Sequence, residues 1–578
     1  MLQVPSNKKD LLAFANELVE ICNVSVGMRS SYYRQLNMIA ETGRYDGTKS
    51  LINLLNNHLT RCADYLFSPV ELQFSIDYGR PKPKIDYERA KAVAKELTRT
   101  WDRNNTDMTF GRGVKEALKY GAAILKQWPQ SEGPDNDPVY YDKLVMPWQF
   151  GVYREDENRL DRQEALCETI MLTLPEVWRR ICHLPEATKL FERIKSNARS
   201  GTAAPGVDSN EHWVLSASPL NTSGVQGTTA PGGIVNVAST ANFGAMGPVI
   251  APALVTMYEI WVKDDTDYTT IQVIGDDILV APLHKKANLL GLTGQQPYRL
   301  IQPNEVTNWF WGRSELVDLI EPQSLLSTWC DDTKRLVGLQ IDKILGVTGD
   351  AGITDEIYAQ MRVSGYMNLP QGADIKDITP KLPAELIPML KFCIEMVNTL
   401  GGFPEIMQGK GEAGVRAGSH ADTLMKTASP SLRDRSLLVE RQCASCGDLT
   451  LQMMEAKDDE RYWLKADKPV EDVENSSFLL AELPDDWRVT IDSHSSSPIF
   501  ADDNKQLIFQ GFKSGIVGPS YVLENMPFPN KEIAKVELRE KQENEAKQFQ
   551  EVLKINPELG EKLGESMAKK KLGLAGHH

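Results

Sequence analysis

The chain has 578 residues, of which 41% are hydrophobic and 25% charged, with 64 Lys and Arg against 79 Asp and Glu. That length allows one large core or several domains, and the composition is that of a globular protein. The net charge of −15 argues against a surface that grips nucleic acid tightly, although an acidic wall suits DNA that slides past. No apolar run reaches the roughly 18 residues of a membrane helix, so neither a membrane segment nor a signal peptide is expected. Eight scattered cysteines suit a reducing compartment.

In chain order, KKDLLAFANELVEIC spaces Leu11, Leu12, Phe14, Ala15, Leu18 and Ile21 along one helical face. Residues 8–66 read as mostly helical, with Leu51, Leu54, Leu55, His58 and Leu59 at helical spacing. VELQFSIDYG alternates as a half-buried strand does. Two helices follow, YERAKAVAKELTRTWDRN and DMTFGRGVKEALKYGAAILKQW. DKLVMPWQFGVYRED and ALCETIMLTL read as strands, and LPEVWRRICHLPEATKLFERIKSNAR as helix interrupted at Pro185. From Gly201 to Val262 there is no Lys or Arg, and Gly, Ser, Thr, Ala and Pro dominate. Such a stretch is a mobile insertion or long loop, or else an ordered polar arm that packs against a partner. YEIWVK, YTTIQVIG and ILVAPL, separated by Asp-containing turns, make a compact β region.

The longest helical pattern runs from Ser314, a candidate cap, to Leu345, with a kink at Pro322. At ~1.5 Å per residue it would approach 50 Å, the length of a strut. PAELIPMLKFCIEMVNTL places Leu386, Leu390, Ile394 and Val397 on one face. GGFPEIMQGKGEAGVRAGSHADTLMKT then breaks the helical pattern with six glycines from Gly401 to Gly418. Ser419 with Asp422 resembles a capping box, opening a helix that kinks at Pro430 and continues to about Glu455. DDWRVTIDS returns to strand, and from Asp502 the chain is helical and highly charged. His577 and His578 are given no role.

The glycine-rich stretch is not a phosphate cradle. Gly409 and Gly414 have the separation of a Walker A motif, but Val415-Arg416 stands where Lys-Ser/Thr is required, and a helix rather than a strand leads in. Cys443 and Cys446 form a CxxC inside a helix with no second pair, which reads as buried thiols rather than a zinc site. His420 beside Asp422 sits at a helix start. Asp264-Asp265 and Asp276-Asp277 lie in turns, where Asp is common for local hydrogen-bonding reasons. No GxSxG elbow is present. The expectation is a protein that is not an enzyme, with no catalytic residue, metal or cofactor.

The order of these segments resembles the portal proteins of tailed double-stranded DNA bacteriophages, over roughly Arg29 to Asn530. ALKYGAAILKQW is similar to a helix-to-strand passage of the family's wing, and MPWQFGVYRED to the wing strand after it. YEIWVKDD, IGDDILV and PYRLIQPNEVTNWFWGRSELVDLIEPQ resemble the clip and its exit into a stem helix, with Gly312, Arg313 and Ser314 at the helix start. GGFPEIMQGKGEAGVRAGSHADTLMK stands in the place of the tunnel helix and tunnel loop. The resemblance implies an α+β portal fold, with mainly helical wing, stem and crown, a long stem helix and a small β-rich clip, assembled as a ring of usually twelve subunits. It implies viral double-stranded DNA passing along the axis without sequence-specific contact. The partners implied are the terminase large subunit, head-tail adaptor and tail proteins, and the major capsid and scaffolding proteins, with no membrane. The location implied is the portal vertex of the virion, with assembly in the host cytoplasm.

On this reading residues 1–173 are an N-terminal wing, 174–200 a wing helix or first stem helix, and 201–310 a clip carrying the Gly/Ser/Thr-rich stretch. Residues 311–346 are the stem helix, 347–400 wing and tunnel helix, and 401–418 the tunnel loop. Residues 419–500 are wing helix and strands, and 501–578 a helical crown. The tunnel loop would present Gln408, Gly409, Lys410, Gly411, Glu412, Gly414, Val415, Arg416 and Gly418 to the channel. Its glycines would let many copies crowd one axis, and Lys410 and Arg416 would touch phosphates weakly. A packaging ATPase and a capsid or scaffolding protein are the competing readings. The first lacks its Walker A motif and the second lacks a reason for a central strut.

Overall fold

The computed structural model describes residues 2–69, 72–130, 139–199, 254–264, 267–275, 278–280, 294–341, 383–402 and 430–456, with shorter pieces up to 544. These residues mix helices with antiparallel strands, as the α+β class requires. The first half contains α1 (Lys8–Asn23), α2 (Val26–Thr42), α3 (Leu55–Leu66), β1 (Phe74–Tyr78), α4 (Lys84–Asn104) and α5 (Thr106–Tyr120). Then come β2 (Ala123–Gln130), β3 (Val139–Val145), β4 (Phe150–Val152), β5 (Ala165–Thr173), α6 (Leu174–Ile181) and α7 (Ala187–Arg199). The second half contains β6 (Leu254–Asp264), β7 (Asp267–Ile274), β8 (Ile278–Leu279), β9 (Tyr298–Ile301) and α8 (Ile320–Ile341). It continues with β10 (Leu345–Thr348), β11 (Asp374–Asp377), α9 (Leu386–Leu400) and α10 (Pro430–Glu455). Among these residues no helix is long and apolar enough to cross a membrane.

Two sheets stack between helices. The five-stranded sheet runs β4-β5-β6-β7-β8 and the three-stranded sheet β3-β2-β9. Because side chains alternate along a strand, each sheet has two sets of neighbours. Ala165, Cys167, Ile260, Val262, Ile271 and Val273 on the outer face of the large sheet are covered by Leu11, Ala15, Leu18 and Cys22 of α1. The amphipathic reading of α1 therefore holds, except that Ile21 is left exposed. At the far end of the inner face, Ile170, Leu172, Met257 and Ile274 are covered by Val177 and Ile181 of α6 and Ile194 of α7. Thr173 caps α6, its backbone N–H and hydroxyl both donating to Glu176 at 2.8 Å. On the other side of the small sheet lies the main core, with Trp101 between Phe74 and Phe110 and its indole N–H bonded to Thr450 of α10 at 3.2 Å.

Where the two sheets face each other, three charges are sealed inside and a fourth, Lys143, reaches in from the edge. Lys126 and Lys143 are cross-strand neighbours on β2 and β3, and Glu168, Glu259 and Gln272 lie opposite one another on β5, β6 and β7. Like charges in that relation repel. The facing sheets resolve both repulsions at once. Lys126 Nζ lies 2.5 Å from Glu168 and 2.6 Å from Glu259, and Lys143 Nζ lies 3.0 Å from the other oxygen of Glu168. The Tyr298 hydroxyl shares its one hydrogen between the two carboxylates, and Trp261 donates to Glu259 at 3.0 Å and Gln272 to Glu259 at 2.9 Å. Burial pushes the Glu259 carboxyl up, but Lys126 and the bonds from Trp261 and Gln272 outweigh it and leave the group below the usual carboxylate range.

The sheet pairing runs across the boundaries of the expected domain plan. Strands β4 and β5 belong to the predicted wing (1–173) and β6 to β8 to the predicted clip (201–310), yet they share one sheet; β9, also in the clip range, pairs with β2. The stretch without Lys or Arg ends in β6, whose Leu254 to Val262 pair along the whole of β5; its earlier residues lie outside the described ones. The long helix is also shorter than predicted. It spans 22 residues, about 33 Å at ~1.5 Å per residue. Residues 315–319 form turns, Pro322 lies in its first turn rather than at a kink, and Leu345 begins a strand. A proline is harmless there, because first-turn N–H groups have no helical partner.

Candidate functional site

Gly312, Arg313 and Ser314 do not start a helix; they close one. The loop they form seals the C-terminal end of α5, whose last carbonyls have no helical partner. Ser314 Oγ donates to the carbonyl of Lys119 at 2.6 Å, and the N–H of Glu315 donates to that of Leu118 at 2.8 Å. Two glycines make the approach possible. Gly121, at φ +100, follows α5, and Gly312, at φ +64, lies against it; a Cβ on Gly312 would come within 2.7 Å of the Gly121 carbonyl oxygen. Two stretches that the sequence singled out separately, ALKYGAAILKQW and WGRSE, thus meet backbone to backbone.

Immediately after this loop, Glu315 gathers three elements. His58 of α3 lies 3.4 Å from one carboxylate oxygen. Arg435 of α10 and Asn304 each donate to the other oxygen at 2.9 Å. Burial raises the Glu315 carboxyl, but the His58 bond, the Arg435 charge and the Asn304 amide prevail and hold it at about 2. The first residue of the glycine-rich stretch reaches the same place. Gly401, which ends α9, lies so close to the His58 ring that any Cβ would overlap it. The helices on either side of residues 403–429 are therefore tied to one carboxylate at the foot of α8, α9 through the His58 ring and α10 through Arg435.

A pH dependence follows from the lowered Glu315 value. Its contribution to stability is complete above the ordinary range near 4.5 and is lost as pH falls toward about 2. Glu315→Gln should remove that dependence and cost up to about 3 kcal/mol at neutral pH, because lowering a carboxyl by one pH unit corresponds to ~1.36 kcal/mol. Urea unfolding of both proteins at about pH 3 and pH 6 checks this. Parallel losses in the two proteins on acidification would refute it.

Of the residues expected in the channel, Gln408, Gly409, Lys410, Gly411, Glu412, Gly414, Val415, Arg416 and Gly418 lie outside the described residues, as do His420 and Asp422. Gly312, Arg313 and Ser314 are brought together with α5. Cys443 and Cys446 are both buried in α10, and burial raises both thiols, Cys446 to about 12. Among the described residues no group of three or more His, Cys, Asp or Glu is arranged to hold a metal ion. No protein-family model matches the chain, and no curated protein matches it.

Sequence reasoning passed over Lys126, Glu168, Glu259 and Glu315. The first three had a signal: each is a charge in a strand otherwise rich in apolar residues (AILKQW, ALCETIML, YEIWV), a place where an unpaired charge is very costly. Glu315 had none, lying beside Ser314 in what read as an ordinary capped helix start.

Proposed function

We propose that the protein is a portal subunit: a ring of about twelve chains at one capsid vertex, through which a terminase motor packages viral double-stranded DNA and from which the DNA later leaves. The observation that supports this most is an apolar surface that finds no partner among the described residues, next to the anchors of the glycine-rich segment. Leu326 and Cys330 of α8 pack against Cys393 of α9. Beyond that contact, Val337 and Ile341 of α8 and Ile387, Met389, Phe392 and Leu400 of α9 are exposed. Exposed apolar groups clustered on adjoining helices mark a contact surface rather than a solvated face. In a ring, each α8–α9 pair would bury this surface against a neighbouring chain.

On this reading the segment Gln408 to Gly418 lines the channel. Lys410 and Arg416 are the cations available there, giving weak contact with phosphates and no sequence preference. The chain acts as a conduit and docking ring, not as a catalyst. Its partners are the terminase large subunit, tail adaptors, and capsid and scaffolding proteins, and its place is the virion.

The test is the mass of the purified particle with an end-on view in negative stain. Twelve chains of 64.6 kDa give about 0.78 MDa with a central hole. A nucleotide-hydrolysing hexamer or a stable dimer would overturn the reading. Given a ring, deletion of 409–417 should spare assembly and abolish stable DNA retention; intact packaging would remove the channel role from this segment.

A further inference from the structure

We infer that a cavity between α2 and the loop before α8 binds a carboxylate carried on a flat or short apolar group. The cavity has a volume of about 160 Å³. Tyr33 and Trp311 form its floor with Arg29, and Tyr32, Trp309 and Arg313 stand at its more exposed edge. This inference does not depend on the portal reading.

The argument centres on Arg29. Its side chain is buried, 8% exposed, and stacks on Trp311 with the guanidinium carbon 3.6 Å from the ring centroid. One edge of the guanidinium is satisfied. Nε donates to Ser25 Oγ at 2.8 Å and lies 3.3 Å from Glu155, and Nη1 donates to the Pro147 carbonyl at 3.0 Å. Nη2 has no well-aligned hydrogen-bond partner; the Tyr33 hydroxyl stands beside the guanidinium and accepts a weak bond from it at most. Glu155 does not complete the pairing. Its Oε1 already accepts from Ser25 and from the Trp311 indole N–H at 2.8 Å. A buried donor left unpaired is costly. Burial accordingly draws the Arg29 charge below the usual arginine range.

The chemistry of the surroundings chooses the ligand. The remaining guanidinium donor matches one oxygen of a monovalent carboxylate, and aromatic rings accept the flat group behind it. Arg313 stands at the mouth, ion-paired with the exposed Asp318 and close enough for its charge to act on the Tyr32 hydroxyl, and it can turn from that solvated partner toward a ligand. A phosphate dianion would have to shed its water against aromatic walls with one free buried donor to receive it, which is unfavourable. The carboxylate could be a free small acid or the terminus of a partner chain, and the probes distinguish the two.

Saturation-transfer NMR on the full-length protein at constant ionic strength provides the test. The probes are benzoate, benzamide, inorganic phosphate, and a short peptide ending in phenylalanine with a free or amidated terminus. Benzoate, the free-terminus peptide, or both should bind, with benzamide and the amidated peptide at least about tenfold weaker, the size of one charge-assisted hydrogen bond. Preference for benzoate assigns a free acid; preference for the peptide assigns a partner terminus. Arg29→Gln should weaken binding about tenfold. Arg313→Gln, at an exposed position, should weaken it about threefold and decides the matter if the first variant does not fold. Equal binding of benzamide, equal competition by phosphate, binding untouched by both substitutions, or no binding of any probe would overturn the assignment.

Discussion

Lys126→Met is expected to destabilise the folded protein by about 3–5 kcal/mol, the usual cost of removing one partner from a buried ion pair. Methionine keeps most of the side-chain volume, so the loss reports charge rather than a cavity. Without Lys126, Glu168 and Glu259 would face each other across paired strands with no cation between them, and Glu259 is enclosed on every side. Lys143 would still reach Glu168, but it is partly exposed and bonds only the far oxygen. The triple substitution Lys126→Met, Glu168→Gln, Glu259→Gln removes the charges together and keeps acceptors for Tyr298, Trp261 and Gln272. It should recover most of the loss, because a well-packed neutral set often equals a buried ionic one. Guanidinium unfolding followed by far-UV circular dichroism measures both. A loss below about 1 kcal/mol for Lys126→Met would mean that the carboxylates find water and that the sheets are not held together by these charges.

The second large effect is expected at Gly312. Alanine there must adopt a left-handed backbone, at a cost of roughly 1–2 kcal/mol. Its Cβ would meet the Gln302 side-chain amide at 2.6 Å and would also press on the carbonyl oxygens of Gly121 and Asn304, at 2.7 and 2.8 Å. Both carbonyls are main chain, which yields less readily than a side chain. The sum, about 2–4 kcal/mol, falls at the point where α5, the small sheet and the foot of α8 meet. Gly338 supplies the comparison. It lies in the α8 helix with open space around it, so Gly338→Ala should be neutral or stabilise by up to about 1 kcal/mol through helix propensity. Thermal unfolding of the two variants separates the alternatives; similar behaviour would show that Gly312 is not under backbone constraint.

What the sequence made legible, and what it hid, divides along the range of the interactions involved. Helices α1, α4 and α5 and the run β6-β7-β8 follow from periodicity and turn residues, which are local. The pairing of β5 with β6 joins residues 81 to 97 positions apart and leaves no local trace, so nothing in the sequence showed that the two segments share a sheet. Ser314 misled for a definable reason. Serine is favoured before a helix because its hydroxyl accepts N–H groups. Here that hydroxyl does accept the N–H of Leu316, at 3.2 Å, but α8 begins only at Ile320, and the hydroxyl's stronger bond goes back to Lys119 of α5. Gly312 reads as part of a helix start; its actual constraint, a close approach to Gly121, exists only in three dimensions. At the candidate site the sequence pointed to the glycine-rich stretch and missed Glu315, because a carboxylate's partners on α3 and α10 are set by packing rather than by spacing.

The course of the chain through the large sheet also bears on how the protein could change over generations. Thr173 and Leu254 are paired across adjacent strands, and Ile194 and Val255 belong to one apolar cluster. The polypeptide therefore leaves the sheet and rejoins it at nearly the same place. Closing a loop whose ends are already held together depends only logarithmically on its length; doubling the number of residues costs about 0.6 kcal/mol. The span between Arg199 and Leu254 is thus a point where the gene can gain or lose many codons while the sheet is left almost undisturbed. Selection can lengthen or shorten this span without renegotiating the fold that carries it.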